Sequence, residues 1–277
     1  MKETALLFMA AGKSSRFGGT PKLLCLLKEN RTLFEVCLLQ IQKYLKITHI
    51  HMVVNTENEY EIMKVLTNIN DKHNFCDKIT SNLQLIPRCR KKPWGTAEAL
   101  AICEPFMEGP FLLLNSDDLY SEETFECILK NCQENKNYVI GFQLGNTLKN
   151  DNKANRAFIE VEENNKTIKL EEKMNLCRKD FTKEKLDSTY VSVNLFYLQP
   201  NILTFIREKI DKFKFEHLQI FERTKHDFDD VLDVEALLPD FINELIKENK
   251  IYLELLKSPG DYNGVTYKTD VQYLQNI

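Results

Sequence analysis

The chain has 277 residues, enough for a sizeable buried core in one large domain or two small ones. Apolar residues are 43% and charged residues 28%, an ordinary globular balance, and no apolar run approaches a membrane span. A formal net charge of −4 argues against a general nucleic-acid or anionic-membrane surface, while leaving room for a local basic pocket.

The chain opens on an apolar run, Ala5 to Ala11, that reads as a strand buried on both faces. It breaks into Gly12-Lys13-Ser14-Ser15-Arg16-Phe17-Gly18-Gly19-Thr20-Pro21-Lys22. Glycines let backbone N–H groups approach a ligand closely, and successive N–H groups form a concave anion site. Arg16 and Lys22 add fixed positive charge, and Arg can grip a phosphate with parallel hydrogen bonds. In physical terms this is a triphosphate cradle, although it fits neither G-x-x-x-x-G-K-[ST] nor G-x-G-x-x-G.

Helical spacing follows from Thr32 to Leu45, with Thr32 and Glu35 as a capping-box start. A second strand is expected over Ile47 to Val54, a second helix over Asn58 to Asn70, and a short strand over Leu83 to Ile86. Lys91-Lys92-Pro93-Trp94-Gly95-Thr96 reads as a loop entering a helix, where free N–H groups favour an anionic or polar ligand. Trp94 has two readings, a stacking wall for a base or a core aromatic anchoring the loop. Pro110 to Asn115 is an apolar strand ending in Ser116-Asp117-Asp118; Ser121 starts a helix to about Glu134, and Tyr138 to Leu144 is the next strand. This alternation predicts an α/β fold with a mostly parallel sheet and helices on both faces.

The second half is less regular. Gly145 to Lys153 reads as a polar loop, and Phe158 to Glu162 with Thr167 to Leu170 as a hairpin around Asn164-Asn165. A strand over Tyr190 to Leu198 precedes helices over Asn201 to Phe213 and Val234 to Lys247. A strand over Ile251 to Leu256, a turn-rich loop from Lys257 to Asp270 and a short helix from Val271 to Asn276 complete the chain. No repeat or linker suggests independent domains, so residues 1–277 are read as one domain. Its two halves are read as residues 1–145 and 146–277.

The eight cysteines include no C-x-x-C pair, and Cys37, Cys103 and Cys127 sit on apolar helical faces. They read as reduced thiols of a cytoplasmic protein without a zinc site. The N-terminus shows no charged leader with a cleavable apolar segment. His49 and His51 share one strand face without an evident third ligand.

Sites in open α/β sheets lie at the carboxyl ends of the strands, where the Gly-rich loop, the Trp94-Gly95-Thr96 turn and Asp117-Asp118 converge. Mg²⁺ prefers hard oxygen ligands, typically one or two carboxylates plus substrate phosphates, which suits Asp117. A pair that merely caps the following helix is the plainer alternative.

In order, the opening loop, Lys92-Pro93-Trp94-Gly95-Thr96-Ala97, Asn115-Ser116-Asp117-Asp118, Asn155-Arg156, Glu172-Lys173, Val191-Ser192-Val193-Asn194 and Gly264-Val265-Thr266-Tyr267 with Asp270 resemble the sugar-phosphate nucleotidyltransferase-like family. The resemblance spans nearly the whole chain. It implies a three-layer Rossmann-like, glycosyltransferase-A-like core with a mixed, mostly parallel sheet. It also implies transfer of a nucleoside monophosphate from a nucleoside triphosphate to a sugar 1-phosphate or similar acceptor, with Mg²⁺ and release of pyrophosphate. Carried across, it makes Arg16, Lys22 and Asp117 catalytic and gives Ala10, Ala11, Gly12, Lys13, Gly95, Thr96 and Asn115 to the nucleotide. Glu172 and Asn194 go to the acceptor and Asp117 to the metal, with Asp270, Thr266 or Asp261 as second ligand. Pro93 stands where many relatives read the base with Gln, and Ala157 where they usually have Gly. Phosphocholine-like acceptors, base choice and oligomeric state stay open. A glycosyltransferase using a finished nucleotide sugar and a non-catalytic nucleotide-binding regulator are the rival readings.

Overall fold

The structure is a computed structural model. It describes residues 2–12, 17, 19–87, 90, 92–148, 152–224 (side chains to 219), 234–265, 270–271 and 274. The opening apolar run forms β1 (Lys2–Met9). Alternate residues face opposite sides of a strand, so Leu6 and Phe8 enter one core while Leu7 enters another. Both faces are therefore covered, which is why the run has no polar alternation.

Thr32 accepts the Glu35 N–H at 3.0 Å and starts α1 (Leu33–Gln42). β2 (Leu45–Val54) and α2 (Glu59–His73) follow, the helix ending on Asn74 in the left-handed conformation rather than at Asn70. The third strand, expected over Leu83 to Ile86, is instead β3 (Lys78–Leu83), pairing in parallel with His49–Val54. It occupies the sheet edge and is mostly polar, so an apolar search misses it. α3 (Thr96–Ala101), β4 (Phe111–Asn115), β5 (Asp118–Tyr120), α4 (Glu122–Asn131) and β6 (Asn137–Gln143) complete the first half.

The expected polar loop after β6 begins with the short helix α5 (Leu144–Thr147). The hairpin strands are longer than the sequence suggests, β7 (Ala154–Val161) and β8 (Thr167–Leu176). An unexpected helix α6 (Lys183–Ser188), capped by Thr182, leads to β9 (Tyr190–Leu198). α7 (Asn201–Thr224) runs past Phe213, whose ring packs on Phe241 and Trp94. α8 (Leu238–Lys247) starts later than Val234, with a proline in its first turn. β10 (Leu253–Lys257) is followed by β11 (Tyr262–Gly264) inside what reads as a loop. The expected helix from Val271 to Asn276 lies largely outside the described residues.

Among the described residues, nine strands form one mixed sheet with the order β10-β6-β9-β4-β1-β2-β3, and β7 and β8 extend from β9. β9 runs antiparallel to both β4 and β6, while β4, β1, β2 and β3 are parallel. α1, α2 and α4 cover one face through residues such as Phe34, Leu66 and Phe125; α3, α7 and α8 cover the other through Leu100, Ile206 and Ile242. This is the three-layer arrangement expected from the sequence. β5 and β11 form a separate antiparallel ribbon beyond the end of β4.

Candidate functional site

Beyond Met9 the backbone is braced from below. Ala10 N–H donates to Val53 O at 2.7 Å, Asn58 Nδ2 donates to Ala10 O at 2.9 Å, and Asn55 Nδ2 donates to Ala11 O at 2.9 Å. Both asparagines are buried and also bond to each other. They fix the peptide planes from which the Gly-rich loop departs. Gly12 is exposed, and a Cβ there would meet nothing within 4 Å. Among the described residues no packing neighbour requires its small size. Lys13 and Arg16 lie outside the described residues.

A cavity of about 90 Å³ lies beside this loop, lined by Met9, Ala10, Gly12, Lys22 and, across from them, Ser116 and Asp117. Lys22 stands in a short 3₁₀ turn after Pro21. Its Nζ donates to Asp117 Oδ2 at 2.6 Å, with both side chains partly exposed. The structure thus brings together two groups that lie far apart in sequence.

The adjacent aspartates have different surroundings. Asp118 is 3% exposed; its carboxyl accepts from Asn115 Nδ2 at 2.8 Å and Tyr262 Oη at 2.8 Å, with Tyr120 Oη at 3.4 Å. Burial pushes its carboxyl up to about 7, the neighbouring Asp117 charge adding to the effect while the hydrogen bonds oppose it. Burial raises the phenols of Tyr262 and Tyr120 as well. A methyl group on Gly264 would lie 2.2 Å from Tyr262 Oη and 2.9 Å from Asp118 Oδ1, so only glycine fits beside this bond. Next to it, Val265 N–H donates to the carbonyl of Asp117 at 3.1 Å. The ribbon therefore holds the Asp117 backbone while Asp118 is used internally. Ser121 occupies the N-cap of α4, so the aspartates do not cap that helix, and of the two only Asp117 lines the cavity.

Asn115 links this array to β9. Its Nδ2 also donates to Val193 O at 3.0 Å, and Asn194 Nδ2 approaches Asn115 Oδ1 at 3.5 Å. Asn194 has φ +64, a left-handed conformation that Asn tolerates better than most residues. Glu172 is half-buried opposite Ala157 in the hairpin register; burial raises its carboxyl, with the Arg156 charge opposing.

Two sets of expected residues stand elsewhere. Trp94 is 2% exposed, with Arg90 over its ring at 4.1 Å and Phe213 edge-on, so it is the core anchor of its loop. Gly95, at φ +126, packs against the backbone of Ala236, where a Cβ would approach the carbonyl oxygen to 2.6 Å. The Thr96 hydroxyl accepts the Leu238 N–H at 2.9 Å. These two residues join the loop to the start of α8 and do not line the Lys22–Asp117 cavity. Asp270 lines a second, smaller cavity with Arg156 and Tyr262, and Asn152 Nδ2 donates to it at 3.3 Å. Asp261 is exposed at the far end of β11, and Thr266 lies outside the described residues.

Sequence reasoning missed Asn55, Asn58 and Tyr262. The asparagine pair directly after an apolar strand was the available signal; nothing local marks Tyr262. Among the described residues no three His, Cys, Asp or Glu side chains cluster as a metal site, and no helix is long and apolar enough to cross a membrane.

Residues 7–240 match the profile of the nucleotidyl transferase family. The chain is 25% identical over 233 residues to the bifunctional protein GlmU of Methanococcus vannielii, covering 82% of this chain and 47% of that protein. It thus spans about half the length of the curated relatives it matches. The inositol-1-phosphate CTP transferase of T. maritima superposes with a TM-score of 0.67 at 11% identity, covering 100% of this chain and 96% of that one. A UDP-glucose pyrophosphorylase complexed with UDP-glucose gives a TM-score of 0.64 at 14% identity, covering 100% and 98%. At these identities the superpositions establish the fold.

Proposed function

Because this chain belongs to the nucleotidyl transferase family, we propose that it moves a nucleoside monophosphate from a nucleoside triphosphate to a phosphorylated small-molecule acceptor in the cytoplasm. Sugar 1-phosphates are the favoured acceptors. The observation that carries this reading is the meeting of Lys22 and Asp117 at 2.6 Å on the wall of one cavity that Ala10 and Gly12 also line. The names of proteins with this fold support it, one being an inositol-1-phosphate CTP transferase and another a UDP-glucose pyrophosphorylase complexed with UDP-glucose.

An acceptor phosphate oxygen attacks the α-phosphorus in line. A new P–O bond forms, the bond to the bridging α–β oxygen breaks, and pyrophosphate leaves with that electron pair. An acceptor phosphate is already ionised at neutral pH, so the step needs no general base. Ala10, Ala11, Gly12 and Lys13 hold the triphosphate through the loop, and Arg16 grips its outer phosphates. Lys22 exchanges its bond with Asp117 for one with the reacting phosphates. The Gly95-Thr96 turn and Asn115 position the nucleotide side, and Glu172 and Asn194 face the acceptor. Residues 1–145 thus serve the nucleotide and 146–277 the acceptor.

Mg²⁺ fits the donor set in one mode: a single partly exposed carboxylate, Asp117, supplemented by phosphate oxygens. Asp118 is saturated by its own hydrogen bonds, and Asp270 is the second candidate. When bound, the ion neutralises phosphate charge and makes the α-phosphorus more electrophilic.

The test crosses the four ribonucleoside triphosphates with sugar 1-phosphates, inositol 1-phosphate and phosphocholine, reading pyrophosphate release. Asp117→Asn is expected to lower turnover by about a hundredfold or more, the scale of removing a preorganised electrostatic group. Turnover in Asp117→Asn equal to that of the parent protein refutes the role given to this residue.

A further inference from the structure

The second cavity, of about 50 Å³, shares no lining residue with the one between Lys22 and Asp117. Arg156 dominates it, with Lys153 and Asp270 also on its walls. The guanidinium is anchored from behind: Nη1 donates to Asn155 O at 2.7 Å and Nη2 to Thr147 O at 2.8 Å. Its Cζ lies 5.2 Å from the centroid of the Tyr262 ring, which is itself locked to Asp118. Anchoring to neutral carbonyls and a ring orients the cation.

Arg156 makes no ion pair with a carboxylate among the described residues, and its Nε is buried without a hydrogen-bond partner. A guanidinium carries more N–H donors than these two bonds use. Its charge acts on the carboxyls of Glu172 and Asp118, pulling both down against the rise from burial, although neither forms an ion pair with it. Arg207 is held in a similar way, by the Ala101 carbonyl and with its Nε unpartnered, whereas Lys22 pairs with Asp117 and Lys209 with Glu244 and Glu248. Lys153 stands exposed on the same rim and adds a second positive charge.

We propose that Arg156, assisted by Lys153, is an anion subsite that binds a phosphate or carboxylate of the acceptor. The inference rests on the transfer reading above for the word acceptor, but the anion site itself does not depend on turnover. Its cavity shares no lining residue with the cavity that holds Lys22 and Asp117. The anion is either the attacking phosphate or a second acidic substituent, and the chemistry of recognition is the same: paired, charge-assisted N–H bonds from a preoriented fork.

The experiment is calorimetric titration of the full chain, with Mg²⁺, against glucose 1-phosphate, glucose 1,6-bisphosphate and each ribonucleoside triphosphate. The variants are Arg156→Gln, Arg156→Lys and Lys153→Gln. Arg156→Gln removes two backbone anchors and is open to misfolding; Lys153→Gln alters only an exposed side chain and keeps the test valid. Arg156→Gln is expected to weaken sugar-phosphate binding about tenfold or more, the scale of one charge-assisted hydrogen bond. Lys153→Gln should weaken it less, Arg156→Lys should retain part of it, and triphosphate binding should stay within about twofold. Equal loss for both sugar phosphates assigns the subsite to the attacking phosphate; loss for the bisphosphate alone assigns it to a second acid. The inference is overturned if the folded protein binds neither sugar phosphate, if neither Arg156→Gln nor Lys153→Gln changes that binding, or if triphosphate affinity falls in parallel. Sugar-phosphate binding that depends on Arg156, without pyrophosphate release from any pair, refutes the transfer reading and leaves the subsite standing.

Discussion

His51 gives the sharpest stability prediction. It lies on β2 at 2% exposure, stacked against His49 at 6.0 Å, and its Nδ1 is buried without a hydrogen-bond partner. Burial, with the nearby His49 and Lys78 charges, pulls the imidazole down to about 4 from 6.5. As pH falls, the unfolded chain takes up this proton before the folded one does. The stabilisation from keeping the ring neutral is therefore complete above the unfolded value near 6.5 and lost as pH falls through the folded value near 4. Between about pH 8 and about pH 5 linkage gives a loss of about 2 kcal/mol from this ring alone. At roughly 2–4 °C of Tm per kcal/mol, that is roughly 4–8 °C. His51→Leu keeps an apolar side chain of similar volume and removes the proton. Thermal unfolding of both proteins across this range should show the variant losing less stability on acidification, by that amount. Parallel Tm–pH curves for the two would refute the reasoning.

Two further outcomes concern the site. Gly264→Ala places a methyl 2.2 Å from Tyr262 Oη, so it should break the bond to Asp118. Leaving that buried carboxyl short of a donor costs about 1–3 kcal/mol, read as a fall in Tm, with turnover falling too because the same ribbon holds the Asp117 backbone. Asn58→Ala removes the donor to the Ala10 carbonyl and the acceptor for Asn55 N–H. It should raise KM for the triphosphate about fivefold or more while leaving acceptor KM nearly unchanged, since each lost neutral hydrogen bond is worth about 1 kcal/mol; steady-state kinetics in both substrates checks this.

Much of the core was legible locally. β1, β4, β6 and β9 are runs of apolar residues because both faces of the sheet are covered, and Thr32 marks the start of α1, although the Glu35 carboxylate pairs with Lys72 and His73 and does not complete the capping box. The elements misplaced at first are those whose stability comes from distant partners. β3 is polar and is held by pairing with β2. β11 is three residues long and exists only because β5 pairs with it from far along the chain. α7 continues past Phe213 because Trp94 and Phe241 supply packing there.

The site divides in the same way. The order of motifs along the chain was enough to identify the strand-loop, the aspartates after β4 and hence the family. Short-range pattern reflects backbone propensity and burial, and both are written in neighbouring residues. The separate fates of Asp117 and Asp118, the burial of Trp94 and the anchoring of Arg156 were decided only in three dimensions. Asp118 meets Tyr262 across 144 residues of sequence, and the energy of a buried charge depends on which distant groups solvate it.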